Sequence, residues 1–271
     1  MTRKSRARLD RDRRRIPRKD NIASVTVDHK NEQIIFTTND MLVKQIHRDG
    51  PRLARSFDRL TKKQIAECSA VFGQVQGLML RHLPRLADDG FKATSARLLA
   101  SASNSLVASI EVARHGYRRQ YGVLARTFIE AVATVIALAT KENALQQFHA
   151  GRLDSNKCIT WAKAAVPPIG PLWGMLSREF VHIGKGHSAF EPPSLYTADD
   201  EALAFIINSL RGNVLLLHVV ADLIFSDETD TPRYWKRNGQ VASFDPTPEV
   251  GAWMESFLEP IDTPLEDRSV S

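Results

Sequence analysis

One stretch of the sequence constrains the fold more than any other. Residues 120–140, QYGVLARTFIEAVATVIALAT, carry only two charges, Arg126 and Glu130. Their spacing of four places both side chains on one face of a helix. A helix that is apolar on nearly all sides is normally buried, and buried charges need partners. The stretch therefore predicts a core helix, in which Arg126 and Glu130 form either a structural ion pair or part of a polar cavity.

The composition is typical of an ordinary globular protein with one large domain and appendages, or with two small domains. The chain has 271 residues, of which 43% are hydrophobic and 25% charged. Two cysteines, Cys68 and Cys158, do not make a disulfide framework and favour a reducing compartment. No apolar segment follows the basic N-terminus as in a secretory signal, and uncharged apolar runs of about ten residues are too short for a bilayer. We therefore expect a cytoplasmic protein without a membrane span.

The net charge of +6 is concentrated at one end of the chain. Residues 1–20 contain ten Lys or Arg and three Asp, whereas residues 245–271 contain seven acidic residues and one Arg. The basic tail includes Arg13, Arg14 and Arg15 and could hold an RNA backbone or another polyanion without reading its sequence. The alternative is a disordered, solubilising extension, because the tail contains Pro17 and lacks aromatic residues.

Hydrophobic periodicity predicts an all-α fold: an antiparallel helical bundle with a small N-terminal β-hairpin and disordered termini. Residues 23–37 read as two strands around a turn at 29–32, and a short helix over 40–47 ends at Gly50 and Pro51. Thr61 and Gln64 resemble a capping box that opens a helix to about residue 82. Later helices are expected over residues 92–114, 117–140, 142–165, 171–183 and, from an N-cap at Thr197, to about residue 225.

These elements divide the chain into four parts. We expect a disordered basic tail over residues 1–20, the hairpin and short helix over 21–50, and the bundle over 51–226. An acidic extension over residues 227–271 contains a short amphipathic piece at 250–258.

A second polar pair, Arg178 and His182, lies in the segment LSREFVHIGKG. One helical turn apart, the two side chains could place a guanidinium and an imidazole around one phosphate. Histidine titrates near neutrality and can take a proton from a 2′-hydroxyl or give one to a leaving oxygen. The pair therefore has the groups that RNA cleavage without a metal requires. The alternative is a histidine that caps the helix or is hydrogen-bonded in the core.

The last long helix carries a polar stripe of Asn208, Arg211, His218 and Asp222. The stripe could meet the Arg126 and Glu130 pair, the Arg178 and His182 pair, or solvent. If it meets the first pair, Arg126, Glu130, Arg211 and His218 would line one polar pocket.

Metal and cofactor signatures are absent from the sequence. His182 and His187 do not share a helical face, and Cys158 has no CxxC partner. We expect no metal and no cofactor.

Two of these segments resemble a known group of proteins. LARTFIEA and LSREFVHIGKG are similar to segments of an uncharacterised bacterial all-helical family, with an R-x-x-x-E helix and a later L-S-x-x-[VF]-H segment, near the HEPN superfamily. The resemblance covers about residues 61–225 and implies a helical bundle and a homodimer. HEPN ribonucleases cut RNA without metal through an R-x(4–6)-H motif, often in toxin or antiphage systems, while many relatives are non-catalytic binding modules.

On this resemblance Arg178 would bind phosphate and His182 would act as the base. The sequence departs from the motif, because three residues separate Arg178 from His182 and because an acidic residue, Glu179, follows the arginine. Two functions are therefore expected. The favoured one is a non-catalytic scaffold or ligand-binding module of a bacterial defence or stress system. The other is a metal-independent ribonuclease in which Arg126 and Glu130 organise the pocket. A catalytic pair must be open to RNA, whereas a structural network is sealed in the core.

Overall fold

The computed structural model describes residues 19–82, 90–184, 187, 192–228, 232–238 and 241–261. The protein is mostly helical and has a two-stranded antiparallel sheet near its N-terminus, which confirms the predicted helical fold with an N-terminal hairpin. The two termini, for which disorder is predicted, lie outside the described residues. The N-terminal part includes Arg13, Arg14 and Arg15. The chain forms two compact units, Met1–Arg52 and Leu53–Ser271.

The first unit contains strands β1 (Ile22–Asp28) and β2 (Gln33–Thr38). The Asp28 carboxylate accepts the backbone N–H groups of Lys30 and Asn31, both at 3.1 Å, and so fixes the turn between the strands. A short helix, α1 (Met41–Lys44), follows and continues into a π turn, Gln45–Asp49.

Helix α2 (Gly50–Leu80) corrects two predictions. Gly50 and Pro51 do not end a helix; they begin one, because a proline in the first turn needs no backbone N–H partner. Thr61 is not an N-cap. It is buried inside α2, and its hydroxyl donates to the carbonyl of Phe57 at 2.9 Å.

Helices α3 (Phe91–Arg114) and α4 (Arg118–Thr140) form a helical hairpin. The turn is a Schellman motif, in which the N–H groups of Gly116 and Tyr117 bond to the carbonyls of Ala113 and Val112. Gly116 has φ +85°, and a Cβ there would lie 3.0 Å from both Leu53 Cδ1 and Pro193 Cβ. Glycine is therefore required at this position.

Helix α4 is the central core helix, as its apolar sequence predicts. It packs against α3 and against α6 (Ser155–Ala165), α7 (Ile169–Leu176) and α8 (Glu201–Phe225). The predicted single helix over 142–165 is instead two helices, α5 (Ala144–His149) and α6, because Gly151 turns the chain at φ +65°. The N-cap of α8 is Asp200 rather than Thr197, since its carboxylate accepts the N–H groups of Ala202 and Leu203.

The C-terminal segment forms a second hairpin, which was not predicted from the sequence. Strands β3 (Trp235–Asn238) and β4 (Val241–Phe244) pair in antiparallel register, and helix α9 (Pro248–Leu258) follows. Tyr234 and Trp235 are buried, and the indole N–H of Trp235 donates to the carbonyl of Val219 at 2.8 Å. This part of the acidic extension therefore belongs to the packed bundle.

Candidate functional site

Arg126 and Glu130 form an ion pair that is mostly, but not fully, buried. Arg126 Nη2 lies 3.3 Å from Glu130 Oε1, and the two side chains are 25% and 31% exposed. Arg126 also reaches the neighbouring helix, because its Nε donates to Ser177 Oγ at 3.1 Å and its guanidinium lies 4.1 Å from the ring centroid of Trp173. The pair is thus one part of a cluster that joins α4 to α7.

Arg178 lies on a π turn, Ser177–Val181, that extends α7, and His182 is the residue that directly follows this turn. Arg178 is 77% exposed, and its Nε donates to Glu179 Oε1 at 2.6 Å. His182 is exposed and leaves the helix in an extended conformation, with its backbone N–H bonded to the Ser177 carbonyl at 3.0 Å. Among the described contacts, none joins the two side chains directly.

Ser177 links these two clusters, and the sequence reading missed it. Its hydroxyl accepts a hydrogen bond from Nε of Arg126, while its backbone carbonyl accepts one from the backbone N–H of His182. The nearby Phe180 ring packs against Gly122 of α4, where a Cβ would lie only 2.2 Å from Phe180 Cγ, and stacks on Phe205 of α8. The structure therefore places the turn that carries Arg178 and His182 against the Arg126 cluster.

The polar stripe of α8 serves a different purpose: it holds the C-terminal segment. Asn208 Oδ1 accepts the N–H of Ile261 at 3.1 Å, and Arg211 donates to the carbonyl of Glu259 at 3.0 Å. Arg211 also pairs with Glu67 of α2 at 3.1 Å. Neither predicted alternative describes the stripe fully, because it meets a segment that the sequence reading placed outside the bundle.

His218 and Asp222 complete this docking surface. Nδ1 of His218 lies 2.9 Å from the hydroxyl of Tyr234, and Asp222 Oδ2 accepts the N–H groups of Arg233 and Tyr234 at 2.9 and 2.8 Å. Burial, with a smaller contribution from the positive charge of Arg233, lowers the pKa of His218 to about 4. Burial raises the pKa of Asp222, although its two backbone hydrogen bonds oppose that change. The predicted pocket residues Arg126, Glu130, Arg211 and His218 thus occupy three separate surroundings.

A mixed cleft of about 620 Å³ lies beside Arg211, between α2 and α9. Its cations already have partners. Arg211 binds Glu67, while Arg233 reaches Gln74 at 3.5 Å and lies 5.6 Å from the ring centroid of Trp253. Arg211 Nε, however, is buried without a hydrogen-bond partner among the described residues, so the cleft borders a cation with one unused donor.

A second cavity, of about 260 Å³, is entirely apolar. It lies between the α6–α7 connection, α7, α8, β4 and α9. Its lining contains no charged or hydrogen-bonding side chain and consists of Ala165, Val166, Pro167, Pro168, Ile169, Leu172, Gly212, Leu215, Leu216, Val219, Phe244, Met254 and Leu258. A Cβ added to Gly212 would meet no atom within 4 Å. The glycine therefore leaves open space beside α8.

Comparison with protein-family models, curated proteins and solved structures found no significant match to this chain. The site must therefore be interpreted from its own geometry. Within the described part of the chain, no group of three or more His, Cys, Asp or Glu side chains could hold a metal ion.

Two helices, α4 and α8, are long and apolar enough to cross a membrane by length and composition. More than half of the apolar window in each is buried inside the bundle, at 56% and 61%, and core helices of globular proteins meet the same criterion. The expected absence of a membrane span therefore stays a prediction.

One sequence signal could have indicated the apolar cavity. Gly212 is an isolated glycine in an apolar helix, where it costs about 1 kcal/mol relative to alanine and so calls for a packing or functional reason. Ser177, Trp173 and Tyr234 gave no comparable signal, because their partners are 51, about 47 and 16 residues away in the sequence.

Proposed function

We propose that this protein is a HEPN-like, non-catalytic helical module that binds a small, uncharged, apolar ligand in the cavity beside Gly212. The observation that carries the proposal is the cavity itself, about 260 Å³ in volume and lined only by apolar side chains. Ligand sites are typically concave and mostly apolar. Well-packed cores contain few voids larger than a water molecule, so a space of this size needs a reason.

The size and chemistry of the cavity define the ligand class. An apolar cavity of about 150 Å³ is large enough for benzene and stays dry when empty. The larger space here suits a bicyclic aromatic molecule or a medium-length alkyl chain. A charged group inside it would lose its hydration without gaining a partner, so the ligand must be uncharged where it is buried.

The mouth of the cavity lies beside Phe244 and Leu258, which line it and are also exposed to solvent. Both belong to the C-terminal segment that the polar stripe of α8 holds in place. In this proposal the polar stripe positions β4 and α9 on one side of the cavity, and α8 lines the opposite side.

The test is a fluorescence titration of the full-length protein with N-phenyl-1-naphthylamine, an uncharged apolar probe. We expect saturable binding by the wild type and loss of binding in Gly212→Leu, whose side chain fills the cavity. Gly77→Leu is the matched control, since Gly77 is an exposed helical glycine of α2 with open space around it. Equal binding by the wild type and Gly212→Leu would refute the assignment of the cavity.

The wider setting is also part of the proposal. The resemblance to HEPN proteins supports a role in bacterial defence or stress, and the helical fold is compatible with it. A cytoplasmic location is supported by Cys68 and Cys158, which are both free and buried. Burial raises the pKa of Cys68 to about 11, so this thiol is kept from reacting at neutral pH.

A second candidate function is metal-independent RNA cleavage by Arg178 and His182. The observation that favours it is the double contact of Ser177, which connects the exposed turn carrying both residues to Arg126 and Glu130. Short π turns are frequent at functional sites. The carboxylate of Glu179 opposes this function, because it pairs with Arg178 and would repel a phosphate.

Incubation of mixed RNA with the purified protein in EDTA tests this candidate. Cleavage that is lost in His182→Ala, kept in the exposed-histidine control His29→Ala and increased in Glu179→Gln would establish it.

RNA binding by the basic tail needs a separate filter-binding assay. Replacing Arg13, Arg14 and Arg15 by serine should weaken binding and reduce its salt dependence if the tail holds RNA.

A further inference from the structure

Helix α9 lines two different spaces with two different sets of side chains. Met254 and Leu258 line the apolar cavity, whereas Val250, Trp253 and Phe257 line the mixed cleft between α2 and α9. The cleft has a volume of about 620 Å³, which lies within the range of about 300–1,000 Å³ that is typical of small-molecule sites. Unlike the cavity, it combines aromatic rings with charged groups, so it suits a ligand of a different chemical class.

One wall of the cleft is aromatic. The rings of Trp253 and Phe257 stack, with centroids 5.3 Å apart and planes 22° from parallel. Phe257 is buried, whereas Trp253 is half-buried, so part of the indole remains open at the cleft that it lines. Planar aromatic molecules stack favourably on such a ring. The wall therefore favours a ligand with an aromatic ring.

The guanidinium of Arg233 borders the same cleft and contacts only uncharged groups. It reaches the amide oxygen of Gln74 at 3.5 Å, lies 5.6 Å from the ring centroid of Trp253 and interacts with the hydroxyl of Tyr234. The carboxylate of Asp222 accepts the backbone N–H of Arg233 and, in the described part of the chain, forms no ion pair with its guanidinium. The contact with Gln74 is too long for a strong hydrogen bond, so a ligand could replace it at little cost.

The other charges at the cleft are compensated. Arg211 Nη2 pairs with Glu67 at 3.1 Å, although Nε of Arg211 remains a buried donor without a partner. Glu249 lies in the first turn of α9, where the helix dipole favours a carboxylate, and hydrogen bonds from its own backbone N–H and from Thr247 lower its pKa. Arg233 therefore supplies the cleft with one cation that lacks an anionic partner, and it selects a ligand with one negative charge.

We propose that this cleft binds a small aromatic carboxylate. The carboxylate accepts two parallel hydrogen bonds from the guanidinium of Arg233, and the ring of the ligand stacks on Trp253. A phosphate monoester fits less well, because its second negative charge would face Glu67 and Glu249 without a further free cation. The site is separate from the apolar cavity and does not rest on the function proposed for it.

The test is calorimetric titration of the full-length protein with 2-naphthoate and with the uncharged 2-naphthamide. The wild type should bind 2-naphthoate at least about tenfold more tightly, because only the carboxylate forms charge-assisted hydrogen bonds. Arg233→Gln should remove this preference, and Arg233→Lys should restore only part of it, since lysine keeps the charge but lacks the planar fork. Arg152→Gln is the matched control, because Arg152 is exposed and lies outside the cleft lining.

The stacking contact is tested with the same two probes. Trp253→Leu should weaken the binding of both probes by a similar factor, because it removes the ring and leaves Arg233 in place. Trp161→Leu is the matched control, since Trp161 is also half-buried and its ring also faces a cation, Lys141, at 5.9 Å. Circular dichroism verifies that each variant remains folded.

The variant Gly212→Leu separates the cleft from the apolar cavity. It fills the cavity and leaves the cleft unchanged, so it should bind 2-naphthoate as the wild type does; loss of binding would place the probe in the cavity and overturn the proposal. The absence of 2-naphthoate binding, or equal binding by the wild type and Arg233→Gln, would also overturn it. Displacement of 2-naphthoate by inorganic phosphate would assign the guanidinium to a phosphate ligand instead.

Discussion

The hydroxyl of Tyr234 lies 2.9 Å from Nδ1 of His218 and joins the C-terminal segment to the buried side of α8. The rings meet edge to face, with centroids 5.3 Å apart. Because burial lowers the pKa of His218 to about 4, the imidazole is neutral at pH 7. It forms one hydrogen bond with the hydroxyl of Tyr234. Because burial disfavours the charged imidazolium, the folded protein favours the neutral form of His218.

We expect the free energy of unfolding to decrease as the pH falls from about 6.5 to about 4. In this range the unfolded chain binds a proton at His218 and the folded protein does not, so acid favours unfolding. The shift corresponds to at most about 3 kcal/mol, and His218 causes no further loss below its folded pKa. Urea unfolding across this range measures the effect.

His218→Asn is the control for that measurement, because asparagine cannot titrate. The neighbouring Asp222, whose raised pKa acts with the opposite sign, is present in both proteins and cancels in the comparison. An identical pH dependence in the wild type and His218→Asn would contradict the prediction.

Gly212→Leu should stabilise the protein by about 2 kcal/mol. About half of the gain comes from replacing a helical glycine, and the rest comes from apolar area placed in the cavity. Gly77→Leu should gain only the helix-propensity part, about 1 kcal/mol, since it fills no cavity. Urea unfolding of the three proteins gives the difference, and equal gains in both variants would show that the cavity cannot accept the side chain.

Gly122→Ala should destabilise the protein by about 1–3 kcal/mol, because the new Cβ would lie 2.2 Å from Phe180 Cγ. Combining it with Phe180→Ala should recover part of that loss, since the obstructing ring is then absent. Calorimetry of both single variants and the double variant measures the coupling. Additive losses would show that Gly122 and Phe180 do not compete for the same space.

Arg126→Met should cost about 1–2 kcal/mol, whereas Glu130→Gln should cost less than about 0.5 kcal/mol. Arg126 loses its hydrogen bond to Ser177 and its contact with Trp173, while Glu130 is partly exposed and pairs at 3.3 Å. Chemical denaturation of both variants ranks the two residues. A larger loss for Glu130→Gln would mean that the ion pair, rather than the contact between helices, stabilises this cluster.

Much of the fold could be predicted from the sequence because it depends on local patterns. The apolar run of α4, the alternation in β1 and β2 and the apolar length of α8 each identify their element, with ends within a few residues. The errors occurred where a local signal has two meanings. Gly50–Pro51 reads as a break or as a helix start, and Thr61 reads as a cap or as a hydroxyl bonded within a helix.

The candidate site was less predictable. The sequence paired Arg126 with Glu130, but it gave no indication that Ser177 would connect that pair to the turn carrying Arg178 and His182. It also grouped Arg211 and His218 with that pair, whereas in the structure Arg211 contacts Glu259 and His218 contacts Tyr234. These contacts depend on how distant segments pack, which spacing along one helix does not encode.

The sequence by itself determined that this protein is a helical bundle with an N-terminal hairpin, because helix and strand periodicity is a property of neighbouring residues. Only the tertiary structure decided which polar residues meet and where empty space remains. The bonds of Asn208, Arg211, His218 and Asp222 to the C-terminal segment, and the cavity beside Gly212, arise from helices brought together by burial of their apolar faces. The hydrophobic effect is non-directional and favours contact between these apolar faces. The shapes of the side chains then decide which groups come into contact.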